Sequence, residues 1–188
     1  MRPKYQTTAL VLARTPLAEA SALLYLLTHD FGLVKARAQG IRKAGAKLAA
    51  ATQTFSEHEA TLVRGKEGWR LSGAVVTQNW FTTLGRDARC RAGRIARLLL
   101  RLVHGESNDT ALLALFTEFL EALPRLTDED ADAAEHLVAL RLLGILGLDT
   151  GDIPGNVQVY EAEALTFAKA HKRELITRIN RGIAASGL

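Results

Sequence analysis

The sequence predicts an α+β chain in two parts: a small five-stranded antiparallel barrel over residues 1–81, then an all-helical domain over residues 82–188. Three observations predict it. Short runs of β-branched and aliphatic residues recur up to about residue 80. Gly-bearing turn segments separate those runs. After about Leu84 the apolar pattern changes to a period of about 100° per residue. With 188 residues, 48% hydrophobic and 23% charged, the chain can bury a core without staples.

The elements follow in order. Residues 5–13, Tyr-Gln-Thr-Thr-Ala-Leu-Val-Leu-Ala, are a first strand, and residues 22–28, Ala-Leu-Leu-Tyr-Leu-Leu-Thr, a second. His29-Asp30-Phe31-Gly32 makes a turn. From Leu33 to Gln39 the alternation puts Leu33, Lys35, Arg37 and Gln39 on one face and Val34, Ala36 and Ala38 on the other. A second strand pair covers about 54–64 and 68–77, split by Gly65-Lys66-Glu67-Gly68, a hairpin signal. Five short strands in 80 residues suit a small antiparallel barrel or an open sheet, with an OB-fold the leading candidate. Residues 40–51 fit neither strand period and read as a basic loop running into a short helix.

Arg86 to His104 reads as one amphipathic helix. Arg86, Arg89, Arg94, Arg97 and Arg101 fall within an arc of about 140°, opposite Ile95, Leu98, Leu99, Leu102 and Val103. Gly105 stops it. Asn108 or Asp109 is a sound N-cap for a helix over about 110–122, which Pro124 ends. Thr127-Asp128-Glu129-Asp130 gives the next helix, about 130–147, an acidic start that suits its dipole. A loop at 147–155 and two further helical stretches, 160–170 and 172–184, complete the chain.

Charge is divided unevenly. The net charge is +4, yet residues 1–82 hold eleven Lys/Arg against five Asp/Glu, residues 83–101 hold six arginines against Asp87, and residues 102–188 hold seven basic against fourteen acidic residues. The front can neutralise phosphates, whereas the back repels them, so two surfaces with different partners are expected. One cysteine, Cys90, excludes an intramolecular disulfide framework and a multi-cysteine zinc site. No segment reaches the roughly 18 apolar residues of a membrane helix, and Met1-Arg2-Pro3-Lys4 does not lead into a signal-peptide block. A cytoplasmic, reduced protein without membrane contact is expected.

Catalytic signatures are missing. The chain has no phosphate loop, no G-x-G-x-x-G, no H-E-x-x-H and no G-x-S-x-G. Alternation turns His58 away from Glu57 and Glu59. The Asp128–Asp132 run reads as a solvated helix start rather than a metal site. No enzyme, no cofactor and no metal are expected.

The chemistry that remains is cationic. Lys35, Arg37, Arg42, Lys43 and Lys47 lie on one strand face and the loop after it, and no Asp or Glu occurs between Phe31 and Ser56. Unquenched cations of this kind meet nucleic-acid phosphates, or form a solvated edge that guards a strand. Arg64, Lys66, Arg86, Arg89 and Arg94 extend the candidate DNA-binding set. The arginine helix has three readings: nucleic acid, an acidic peptide tail, or a seam with the acidic back half. Arginine at all six positions suits bidentate contacts to phosphate or carboxylate. Among the aromatics near the strands, Tyr5, Phe31 and Trp69 are the candidates for exposed base-stacking surfaces.

These residues are similar to those of a known family. The stretch Ala9-Leu10-Val11-Leu12-Ala13-Arg14-Thr15-Pro16-Leu17-Ala18-Glu19-Ala20-Ser21 resembles the opening of RecO, the recombination mediator family. Leu26 to Gly40 resembles its second and third strands, Ile41-Arg42-Lys43 and Lys47-Leu48 its basic segment, and Gln53-Thr54-Phe55 the entry to its fourth strand. Leu140-Arg141-Leu142-Leu143-Gly144-Ile145-Leu146-Gly147 is similar to its C-terminal helical motif. The resemblance implies a non-enzymatic protein that binds single- and double-stranded DNA, anneals complementary strands, contacts the C-terminal tail of single-stranded DNA-binding protein, and works with RecR to load recombinase. Arg97, Arg101 and Arg141 are then candidates to rim a groove for that tail. Many members carry a four-cysteine zinc module after the L-G motif. Here Leu148 to Asn156 contains no cysteine and the following stretch is short, so a reduced variant without zinc is expected. The alternative is a protein–protein adaptor whose basic face meets an acidic partner, without physiological DNA contact.

Overall fold

The computed structural model describes residues 3–18, 21–40, 48–106, 110–153 and 160–187. The chain divides into two compact units, Met1–Thr83 with His104–Leu113, and Leu84–Val103 with Ala114–Leu188. The first unit takes in the segment after residue 103, where Glu106 bridges to Gly32.

The first unit is an OB-fold: a closed barrel in the order β1-β2-β3-β5-β4. Its strands are β1 (Lys4–Ala18), β2 (Ser21–Thr28), β3 (Gly32–Gln39), β4 (Ser56–Gly65) and β5 (Gly68–Asn79). The first strand is longer than expected and serves two neighbours. Lys4 to Leu10 pair with β4, while Ala9 to Ala18 pair with β2. Register shifts between Val11 and Ala13 and between Pro16 and Ala18 bend it. Pro16 sits beside the second shift, where a residue without an N–H is tolerated.

Alternation fills the interior. Ala9, Val11, Leu24, Leu26, Val34, Ala36, Ala38, Ala60, Leu62, Trp69 and Leu71 form one buried cluster. Small alanines on β1, β3 and β4 let the opposing leucines and Trp69 meet inside so narrow a barrel. A 3₁₀ turn at Ala50–Thr52 precedes β4. Phe55 then takes the left-handed conformation, φ 63°, which a bulky residue adopts only when its surroundings hold it. Its N–H donates to the Val11 carbonyl at 2.8 Å, its carbonyl accepts from the Trp80 N–H at 3.0 Å, and its side chain is buried. The expected strand start at residue 54 therefore shifts to Ser56. One short helix, α1 (Trp80–Thr83), follows β5.

The helical elements are α2 (Arg86–Leu102), α3 (Ala111–Ala122), α4 (Asp128–Ile145), α5 (Ala162–Ala170) and α6 (Lys172–Ala185). All lie within a few residues of the expected spans. The candidate caps Asn108 and Asp109 lie outside the described residues. Thr127 caps α4 by accepting from the Asp130 N–H at 3.2 Å. Burial along α4 continues from Ala131 to Leu143 on several faces, the mark of a helix enclosed by neighbours. Leu137, Leu140, Phe119, Leu120 and Leu99 are fully buried. Among the described residues no helix is long and apolar enough to cross a membrane.

Candidate nucleic-acid interface

The outer surface of the barrel follows from the pleat. Val34, Ala36 and Ala38 point inward, so Lys35, Arg37 and Gln39 point out and are exposed. On the neighbouring β2, Tyr25 is the register partner of Lys35 and Leu23 that of Arg37. The Lys35 ammonium lies 5.6 Å from the Tyr25 ring centroid, within cation–π range. On the other side of β3, the barrel closes through a short parallel pairing that sets Ala36 against Trp69, Arg37 against Arg70, and Ala38 against Leu71. Arg70 is exposed. Side chains of register partners share a face, so Lys35, Arg37 and Arg70 occupy one outer surface, with Tyr25 beside them.

The turn between β4 and β5 borders this surface. Its Lys66 is exposed, and a shallow concavity there is lined by Arg37, Gln39, Val63, Lys66, Glu67 and Arg70. Glu67 reaches back to Arg37, accepting a hydrogen bond from Nη1 at 2.7 Å. The pair is exposed on both sides, and such pairs contribute little and yield readily to a polyanion. Arg64, at the end of β4, lies 3.3 Å from the Glu106 carboxylate, with its guanidinium 5.2 Å from the Trp69 ring centroid.

Of the ten expected DNA contacts, Lys35, Arg37 and Lys66 fall on or beside this barrel surface, whereas Arg64 pairs in register with the buried Trp69 and stands over its ring. Arg42, Lys43 and Lys47 lie outside the described residues. Arg86, Arg89 and Arg94 belong to α2 and hence to the helical unit. There Arg94 is held by Glu135, with Nη2 at 2.7 Å from Oε2. Arg91, which lies outside the arginine arc, meets Asp128 at 2.6 Å and Glu135 at 3.0 Å. The seam with acidic residues thus exists for these two arginines, but within one unit. Sequence reasoning misses Arg70 and Tyr25. The outward phase of β5 at Gly68, Arg70 and Ser72 is a usable signal for the first, whereas the β3–β5 pairing joins residues about 30 apart and leaves no local trace.

Two further expectations need correction. Trp69 is 5% exposed, and its ring lies 5.4 Å from Tyr5 and 5.2 Å from Phe31, so these three aromatics make a cluster at the barrel interior rather than an open platform. Arg141 is 2% exposed, with its guanidinium 5.1 Å from the Tyr160 ring centroid, and burial lowers its pKa. From there it rims no groove. The Arg97 and Arg101 side chains are exposed on α2. His58 behaves as its alternation predicts: it is fully buried while Glu59 is exposed. Cys90 is exposed. Among the described residues no cluster of His, Cys, Asp and Glu is arranged to hold a metal ion.

A closed five-stranded barrel with a cationic outer face and a helical unit defines an OB-fold protein of two units. Likeness to known proteins narrows this class. Residues 1–80 match the family model described as Recombination protein O N terminal. The chain is similar to the DNA repair protein RecO of Gloeobacter violaceus, 40% identical over 143 residues, covering 74% of this chain and 51% of the relative. It is also similar to that of Gloeothece citriformis, 30% identical with 74% and 52% covered, and that of Dehalococcoides mccartyi, 26% identical with 92% and 63% covered. The chain belongs to the RecO family. It spans about half to two thirds of the length of these curated relatives.

Proposed function

We propose that this protein is a DNA repair and recombination mediator that binds DNA along the outer face of its barrel. The observation that carries the reading is the shared surface of Lys35, Arg37 and Arg70, with Tyr25 beside it and Lys66 at its border, on the β2–β3 side of an OB-fold. That side, with the β4–β5 turn, is where such barrels take oligonucleotides. Family membership supports the same reading, because the similar relatives carry the name DNA repair protein RecO.

The mechanism needs no bond-making residue. Cations on the barrel face neutralise backbone charge on single or double strands, and Tyr25 offers a ring for a base. Arg42, Lys43 and Lys47, which follow β3 in sequence, are proposed as further phosphate contacts. Two strands held this way repel each other less, which favours annealing of complementary strands and the handing of recombinase onto DNA coated by single-stranded DNA-binding protein. An acidic C-terminal tail of that protein would meet the exposed arginines of α2, Arg97 and Arg101 foremost, with RecR as a second partner. The site of action is cytoplasmic, at the nucleoid.

Anisotropy titration of a fluorescent dT oligonucleotide and of a random duplex tests the reading. Binding should be independent of sequence and should weaken in the Arg37→Glu, Arg70→Glu double variant. Oligonucleotide binding that is absent at low salt would turn the basic face into a surface for an acidic protein partner.

A further inference from the structure

Glu106 occupies a position where an anion is held by two groups at once. Its Oε1 accepts from the Trp69 indole N–H at 2.8 Å, and its Oε2 lies 3.3 Å from Arg64 Nη1. The Arg64 guanidinium in turn lies over the Trp69 ring at 5.2 Å. A single backbone bridge to Gly32 docks the residue on the barrel. Gly105, directly before it, has φ 79° with open space where a Cβ would stand, so the chain turns there with the freedom of glycine. The Glu106 side chain is 40% exposed, within reach of a solute. Beneath it lie Trp69, Tyr5 and Phe31 in mutual edge and tilted contact.

We infer that Glu106 is an internal carboxylate clasp filling a phosphate subsite built from Arg64 and the Trp69 indole, and that a phosphate of single-stranded DNA displaces it to reach the Trp69 ring. The inference rests on the barrel-face reading above and adds to it a second, covered binding point. A phosphate oxygen accepts from the same two donors, so the exchange replaces one negative charge by another and leaves no buried donor unsatisfied. The aromatic edge then becomes available to the adjoining base. The clasp competes with DNA, and its removal raises affinity.

The test uses the full chain labelled with 5-fluorotryptophan. Its two resonances, from Trp69 and Trp80, are assigned with a Trp80→Phe variant, and the probe is a dT oligonucleotide. On saturation the Trp69 resonance of the wild type should shift while that of Trp80 stays. Glu106→Ala should shift the Trp69 resonance before any DNA is added and tighten binding about fivefold at low salt. Should Glu106→Ala fail to fold, Glu106→Gln keeps an acceptor for the indole, removes the charge that faces Arg64, and should tighten binding in the same direction. Glu67→Gln removes the carboxylate that pairs with Arg37 and serves as the control: it raises affinity by charge alone and leaves Trp69 unmoved. Oligonucleotide binding with a static Trp69 resonance, or equal effects of the Glu106 and Glu67 variants on that resonance, overturns the clasp and leaves the barrel-face reading intact. Absence of oligonucleotide binding overturns both.

Discussion

Arg37 of β3 and Arg70 of β5 are register partners across the parallel pairing that closes the barrel, so two cations stand side by side on its outer face. Like charges at paired positions destabilise a sheet. Arg70→Glu should therefore stabilise the fold by a few tenths of a kcal/mol, roughly 0.5, through a cross-strand pair with Arg37, while weakening oligonucleotide binding. Urea unfolding and anisotropy on the same preparation check this. Stability and affinity falling together would mean that the surface was not arranged for an anion.

His58 should make the barrel acid-labile. Burial in an apolar interior pushes its pKa down from 6.5 to about 4. The unfolded chain thus binds a proton at a pH where the folded chain does not. The stability this neutral histidine permits is complete above pH 6.5 and is lost as the pH falls toward 4, by about 3 kcal/mol at most. Urea midpoints between pH 7 and pH 4 should fall less steeply in His58→Leu. Parallel slopes for the two proteins would show that the side chain is solvated.

Asp149 and Arg178 clamp the turn after α4 onto α6. Arg178 donates to Asp149 Oδ2 at 2.6 Å and to the Asp152 carbonyl at 3.0 Å, and both side chains of the ion pair are largely buried. The hydrogen bonds from Arg178 hold the Asp149 carboxyl below the ordinary carboxylate range, so its contribution is present at neutral pH and lost on acidification. Arg178→Ala should cost on the order of 3 kcal/mol, because it leaves the carboxylate buried without its partner. A double-mutant cycle with Asp149→Asn should show coupling, and additive losses would refute the clamp.

Gly182 marks a close approach between α6 and α4. A Cβ there would stand 2.9 Å from Leu143 Cδ1 and 3.1 Å from the Leu148 carbonyl oxygen. Gly182→Ala should destabilise the helical unit by about 1–3 kcal/mol in chemical unfolding, despite the better helix propensity of alanine. A stabilised variant would show that the helices separate without cost.

What is local in this fold is legible in the sequence. Strand alternation assigns the outward phase of Lys35 and Arg37 correctly, and the helical period places α2 to α6 within a few residues. What closure joins is not legible. The Arg37–Arg70 neighbourhood depends on a β3–β5 pairing, and the covering of Trp69 depends on Glu106, 37 residues further on. Trp69 reads as exposed from the sequence because its polar indole and strand position fit either face. Arg141 reads as a rim cation because arginine is rarely buried. Arg94 and Arg91 meet Glu135 and Asp128 only once α2 and α4 are side by side, a pairing that charge counting suggests without assigning partners.

The salt dependence of dT-oligonucleotide affinity tests the barrel-face reading most directly. Wild-type log Kd should rise steeply with log salt, and the Arg37→Glu, Arg70→Glu double variant should show a slope shallower by about 0.7 for each phosphate it no longer neutralises. Equal slopes and equal affinities in the two proteins would contradict the proposal that DNA lies on this face.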